Sequence, residues 1–157
     1  MVSFDDLLSR KSSVAVVGLG YVGLPLAVAL SRHFDVIGFD INTARVDALN
    51  GGHDATNEVD DASLAASTAR FTSDATELGK AGVIIVAVPT PVDSHRTPDL
   101  TPVIGASRTV GRHMPKGCVV CYESTVYPAP TQHECIPLPA KASGTHPPPA
   151  SPVRYSP

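Results

Sequence analysis

The chain is short of the residues that mark several common classes of protein. Only three of its 157 residues are cysteine, an odd number that suits a reducing compartment better than a disulfide framework. Basic residues are in deficit, twelve against fifteen acids, for a formal net charge of −3. That balance argues against a general nucleic-acid surface or one that holds acidic membranes. No apolar run approaches the ~20 residues needed to span a bilayer. The start, Met1-Val-Ser-Phe-Asp-Asp-Leu-Leu-Ser-Arg10, has acids where a secretory signal has bases, and its apolar stretch is too short for one. A cytoplasmic location is the expectation. There is no internal repeat. What remains, 43% apolar and 17% charged, suits a globular domain large enough for a real core.

Proline divides the chain. Three of the fifteen prolines, Pro25, Pro89 and Pro91, precede position 95, and nine lie from Pro128 onward. Proline neither donates to a sheet ladder nor continues a helix, so the far stretch is expected to hold little regular structure. The divisions read as an N-terminal extension over 1–13, one domain over 14–130, and a degenerate or disordered proline-rich tail over 131–157. Cys118-Val-Val-Cys121 has the spacing of a metal or redox pair, but it sits in a run that reads as a buried strand. Positions three apart on a strand face opposite ways, and no second pair completes a zinc site. His133, Glu134 and His146 likewise have no partner histidine at a helical spacing, and no metal is expected.

Within the domain, short apolar runs alternate with helical patterns. Strands are expected at Val14–Val17, Asp35–Phe39, Arg70–Thr72, Val83–Val88 and Cys118–Tyr122. Helices are expected over 24–34, over Thr43–Asn50 ahead of Gly51-Gly52, and over 100–113. Such alternation predicts βαβ units and a parallel sheet. Runs of Val and Ile without polar alternation fit a sheet covered on both faces. The fold class is therefore α/β, a Rossmann-like doubly wound parallel sheet, followed by an irregular tail.

The first strand runs straight into Gly18-Leu-Gly-Tyr-Val-Gly23, and a helix follows. In a dinucleotide site the first glycine allows the tight turn, the second lets the pyrophosphate approach the backbone, and the third permits close helix–strand packing. Phosphates then sit on unpaired N–H groups at the positive end of the helix dipole. Glycine-rich turns are common, so the context matters: Asp40 ends the next strand at the spacing of about 20 residues that a ribose-binding acid needs. It would also repel a 2′-phosphate, favouring NAD over NADP. The competing role for Asp40 is an N-cap on the following helix.

With these residues in place, the sequence resembles the UDP-glucose/GDP-mannose dehydrogenase family, and within it the bacterial UDP-N-acetylhexosamine 6-dehydrogenases of surface-polysaccharide synthesis. Four segments carry the resemblance in order: Val17 to Ala27; Gly38-Phe-Asp-Ile-Asn42 with Arg45; Val88-Pro-Thr-Pro91 followed by Pro98-Asp-Leu-Thr-Pro102; and Tyr122-Glu-Ser-Thr-Val-Tyr-Pro128. The resemblance implies that the turn Gly18, Leu19, Gly20, Tyr21, Val22 and Gly23 binds the cofactor, with Asp40 and Arg45 on its adenosine ribose side. It adds Thr90, Pro91 and Ser124 to the cofactor site and gives Thr125 a catalytic place near the nicotinamide and the reacting sugar carbon. Read from the residues alone, Pro89 and Pro91 could be a simple strand stop and Thr125 an ordinary turn threonine. Glu123 is given no role.

The family reaction takes a UDP-sugar C6 alcohol to a carboxylate with two NAD, the second step passing through a cysteine thiolate. That cysteine, a lysine, an asparagine and a second nucleotide-binding domain are expected beyond position 157, as is the helix through which family members dimerise. Tyr155-Ser-Pro157 resembles a family segment that a catalytic glutamate follows. The expectation is therefore a truncated cofactor domain that binds NAD weakly if at all and does not turn over UDP-sugars. Two other readings stay open: an NAD-sensing module without enzyme activity, which leaves Val88-Pro-Thr-Pro91 and Tyr122-Glu-Ser-Thr125 unexplained, and a gene fragment without a role. A missing strand would leave an exposed sheet edge and poor solubility in the last case.

Overall fold

The computed structural model describes residues 2–92, 94 and 97–123, and the backbone of 154–155. In chain order the elements are α1 (Phe4–Leu8), β1 (Ser13–Val17), α2 (Gly23–Ser31), β2 (Val36–Phe39), α3 (Thr43–Asn50), α4 (Asp61–Ala66) and β3 (Arg70–Thr72). A 3-10 helix (Ala75–Lys80) then leads into β4 (Ala81–Val86), α5 (Thr101–His113), β5 (Val119–Tyr122) and β6 (Arg154–Tyr155). The strands form one parallel sheet in the order β3-β2-β1-β4-β5-β6. The doubly wound α/β fold expected from the alternating pattern is therefore present.

The β1 strand lies inside the sheet, so all five of its residues are buried. Alternation sends Val14 and Val16 to one face and Ala15 and Val17 to the other. The first pair joins a core with Leu19, Leu24, Ala27, Val28, Val36, Leu49 and Leu64, contributed largely by α2, α3 and α4. The second pair joins Ile37, Phe39, Ile84, Val86, Val103, Val110 and Tyr122 under α5 and the 3-10 helix. Fully burying a Val, Leu or Ile is worth about 1.5–3 kcal/mol, which is why these strands read as unbroken apolar runs rather than as alternating ones.

Three short elements were not visible in the apolar pattern, and all three are set by caps. Ser3 and Asp6 form a capping box on α1. Asp60 accepts from the Ser63 N–H at the start of α4, and Asp74 accepts from the Thr76 N–H at the 3-10 helix. The first thirteen residues, set apart in the sequence as an extension, are packed onto the domain. Leu7 of α1 belongs to the core beneath α2, and β1 already begins at Ser13. Within the stretch expected to be irregular, Arg154 and Tyr155 pair with Cys121 and Tyr122, so part of the outer edge of β5 is covered. Backbone ladder bonds need no particular side chain, which is why a proline-rich context did not announce this pairing.

Where the chain leaves β3 at one edge and returns to β4 beside β1, the direction of winding reverses. A crevice opens at such a switch point, beyond the carboxyl ends of the strands. The β1 end delivers Gly18, and the β4 end delivers Ala87 to Pro91.

Candidate cofactor site

The glycine turn follows directly from β1. Gly18 adopts φ +96°, a left-handed conformation that side chains rarely take, and donates its N–H to the Phe39 carbonyl at 2.8 Å. A Cβ here would also lie 2.9 Å from the Ala87 carbonyl oxygen, so the turn packs flush on the end of β4. At Gly23 a Cβ would fall 1.6 Å from the Gly18 carbonyl oxygen. The first turn of α2 is thus seated on the glycine turn itself, a closer contact than the helix–strand packing expected. Gly20 differs from both, because a Cβ there would meet nothing within 4 Å. Among the described residues, a side chain here would stand in open space.

Leu19, fully buried, anchors the turn. Its N–H donates to Asp40 Oδ2 at 2.9 Å, and its carbonyl accepts from Arg45 Nε at 2.9 Å. Asp40 also accepts the Asn42 N–H on Oδ1 at 2.9 Å. The N-cap of α3 is Asn42, whose side chain accepts from the Arg45 N–H, so Asp40 does not serve as that cap. A carboxylate offers about four acceptor sites, leaving Asp40 room for the hydroxyls of a ribose. Arg45 was expected, through the resemblance, on the ribose side. Its guanidinium lies against the turn, with Nη1 donating to Asp54 Oδ1 at 2.6 Å and Nη2 to Thr56 Oγ1 at 3.3 Å.

Asp54 is the component that sequence reading missed. It is 1% exposed and accepts from the Thr56, Glu58 and Val59 N–H groups and the Thr56 hydroxyl, as well as from Arg45. Burial is the largest single influence on its carboxyl and pushes the pKa up. The hydrogen bonds from Thr56, Val59 and Arg45 together outweigh it and hold the group well below the usual carboxylate range. Its signal in the sequence is the local Asp54-x-Thr56 turn spacing, which says nothing of an arginine nine positions earlier.

Several large apolar side chains are exposed in the segments that follow the strands. Tyr21 and Val22 are 70% and 56% exposed, Ile41 after β2 is 85% exposed, and Val92 after β4 is 65% exposed. Tyr21 and Val22 follow β1, Ile41 follows β2, and Val92 lies in the loop after β4. The loop after β4 closes on itself through the Val92–Pro98 bridge and the Asp99 N–H to Pro91 carbonyl bond at 2.7 Å. Asp99 Oδ1 accepts from the Thr101 N–H at the start of α5. Thr90 is half-buried in this loop, and Pro91 is exposed. Ser124 and Thr125 lie outside the described residues. The N–H of Glu123 still pairs with the Val86 carbonyl at 2.8 Å, so the chain leaves β5 beside the end of β4. Cys118 is buried in the core under α5, and Cys121 on the opposite side of the strand is half-buried. Desolvation raises both thiols above the ordinary value. No cluster of three metal-ligating side chains occurs among the described residues.

These features fit a dinucleotide. Among the described groups none accepts from the N–H groups of Gly20, Tyr21 and Val22, which stand ahead of α2 beside the vacant space at Gly20. Unsatisfied N–H groups at a helix start, next to a backbone surface with no side chain, form a phosphate cradle.

Comparison with known proteins agrees with this geometry. Residues 12–155 match the UDP-glucose/GDP-mannose dehydrogenase family, NAD binding domain. The chain belongs to this family. Its similarity to Protein CapL of Staphylococcus aureus is 51% identity over 132 residues, covering 84% of this chain and 31% of that protein. The UDP-N-acetyl-D-glucosamine 6-dehydrogenase of Pseudomonas aeruginosa is 53% identical over 136 residues, covering 86% and 32%. Among solved structures, a UDP-D-ManNAc dehydrogenase from Pyrococcus horikoshii superposes with a TM-score of 0.77 at 30% identity, covering 91% of this chain and 35% of that one. A GDP-mannose dehydrogenase ternary complex from Pseudomonas aeruginosa gives a TM-score of 0.76 at 27% identity over 84% and 33%. The chain therefore spans about a third of the length of the relatives it matches. NAD is the cofactor of the matched domain. No helix among the described residues is long and apolar enough to cross a membrane.

Proposed function

We propose that this chain is the NAD-binding portion of a UDP-N-acetylhexosamine 6-dehydrogenase, which forms the uronic acid by two NAD-linked oxidations in polysaccharide biosynthesis. The observation that carries the reading is the Leu19 peptide held between Asp40 and Arg45 ahead of a phosphate cradle, in a chain 53% identical over 136 residues to a UDP-N-acetyl-D-glucosamine 6-dehydrogenase. Bound NAD supplies the hydride acceptor. The protein's own share is to hold the pyrophosphate on the N–H groups of residues 20–22 and the adenosine ribose on Asp40, and to line the site with Thr90, Pro91 and Ser124. Thr125 is assigned a hydroxyl beside the reacting carbon, and Arg45 fixes the turn.

The 157 residues by themselves bind NAD weakly and do not oxidise UDP-sugars, since the cysteine, lysine and asparagine that the family uses have no counterparts among them. The site belongs in the cytoplasm, where NAD is the ordinary coenzyme. The active assembly is a dimer formed through a helix outside these 157 residues, with no nucleic-acid or membrane partner. The experiment is a chimera that joins this chain to the remaining two-thirds of the Pseudomonas aeruginosa relative. NADH formation from UDP-N-acetylglucosamine by the chimera, and none by the 157 residues alone, is the expected result. A folded chimera that binds NADH yet forms none from any UDP-N-acetylhexosamine refutes the assignment. A non-enzymatic NAD module would show that same outcome.

A further inference from the structure

We propose that Asp54 sets the coenzyme preference of this site by holding and neutralising Arg45, so that the ribose pocket presents one uncompensated negative charge and no free cation. The inference rests on the reading of the glycine turn as an NAD site and adds to it a residue outside the fingerprint.

The same peptide, Leu19, joins the two charged groups that flank the ribose side: its N–H donates to Asp40 and its carbonyl accepts from Arg45. A guanidinium one peptide away from the ribose acid is, by its chemistry, a receptor for a 2′-phosphate. Its planar fork of donors matches phosphate oxygens, and an arginine near this position is how such sites accommodate NADP. Arg45 alone would therefore work against the preference that Asp40 creates.

Asp54 removes that contradiction. Its Oδ1 lies 2.6 Å from Arg45 Nη1, and the arginine side chain is 11% exposed while the aspartate side chain is fully buried. Four further donors fix the carboxylate in place: the N–H groups of Thr56, Glu58 and Val59 and the Thr56 hydroxyl, at 2.7–3.0 Å. The same Thr56 oxygen accepts from Nη2. The guanidinium is thus tied back on three sides and paired with a charge that cannot swing away. Asp40, Arg45 and Asp54 together carry a net charge of −1, contributed in effect by Asp40.

The test is a titration of the full 157-residue chain with NADH and NADPH, for the wild type, Asp54→Asn, Arg45→Gln and the double variant. Changing the net charge of the Asp40, Arg45 and Asp54 group by one unit is expected to shift the NADPH-to-NADH ratio of dissociation constants by about tenfold. Asp54→Asn is expected to move the ratio toward NADPH and Arg45→Gln to move it away. The double variant, with net charge restored to −1, should return within about twofold of the wild type. A merely structural role for Asp54 would weaken both nucleotides by the same factor, and that result overturns the inference. If Asp54→Asn alone fails to fold, the double variant set against Arg45→Gln decides the matter, because its ratio returns to the wild-type value only if the Asp54 and Arg45 charges offset each other. A wild-type chain that binds neither nucleotide refutes the cofactor-site reading itself. One that binds NADH with a ratio unmoved by these variants refutes only the role of Asp54.

Discussion

Alanine at Gly20 and alanine at Gly23 should have opposite effects, one on binding and the other on folding. At Gly20 an added Cβ meets no atom within 4 Å and the backbone is not in the left-handed region. The folded state should accept the methyl without strain, and the stiffer unfolded chain changes stability by no more than about 1 kcal/mol, in the stabilising direction. The same methyl stands where the phosphate must approach the free N–H groups. Losing one charge-assisted hydrogen bond there costs about 1.5–3 kcal/mol, equivalent to roughly a 10- to 100-fold weaker Kd. At Gly23 the Cβ would sit 1.6 Å from the Gly18 carbonyl oxygen, and that neighbour is backbone rather than a movable side-chain end. Relief requires α2 to withdraw from the turn, with an overpacking cost of about 1–3 kcal/mol or more. Against a total stability of about 5–15 kcal/mol, that is a visible fraction. Urea unfolding followed by far-UV circular dichroism reads the first quantity, and NADH fluorescence titration reads the second. The reasoning fails if Gly20→Ala loses more than about 2 kcal/mol while keeping its affinity, or if Gly23→Ala retains full stability.

Tyr122 and Ser107 share a buried hydrogen bond of 2.7 Å between β5 and α5. Tyr122→Phe should cost about 1–3 kcal/mol through the hydroxyl left behind, lowering Tm by several degrees in a domain of this size; an unchanged Tm refutes it. Acid should destabilise the chain in a defined window, because Asp54 is held below its ordinary value in the folded state. The unfolded chain then takes up the proton first, so this contribution is complete above about pH 4 and is lost as pH falls below it. Urea midpoints that stay flat from pH 7 to 5 and drop below pH 4, with a shallower drop in Asp54→Asn, are expected. Midpoints that rise on acidification contradict it.

The framework of the fold was legible because its signals are local and repetitive. β1 and β4 are buried on both faces and so appear as apolar runs, while α3 is bounded by Asn42 and Gly51 and falls where its pattern ends. α4 and the 3-10 helix are only six residues each, too short for a helical period, and depend on the single caps Asp60 and Asp74. β4 ends at Val86, two residues before the apolar run does; the Ala87 N–H still donates to the Val17 carbonyl as the last rung between β1 and β4, and the chain then passes into the loop that holds Pro89 and Pro91. In the site, Gly18, Gly23 and Asp40 follow from a fingerprint whose spacing reflects one βαβ unit. Asp54 and the tethering of Arg45 do not. They arise from a buried ion pair between an α3 residue and the loop behind it, and a partner choice made in three dimensions leaves no periodic trace.

The most direct measurement is an NADH titration of the 157-residue chain, with NADPH in parallel. The account expects saturable 1:1 NADH binding, weak at a Kd of about 0.1–1 mM (roughly −4 to −5.5 kcal/mol), with NADPH bound at least about tenfold more weakly and NADH binding abolished when Asp40 is replaced by alanine. Tighter binding of NADPH than of NADH, or NADH binding indifferent to Asp40, would contradict it.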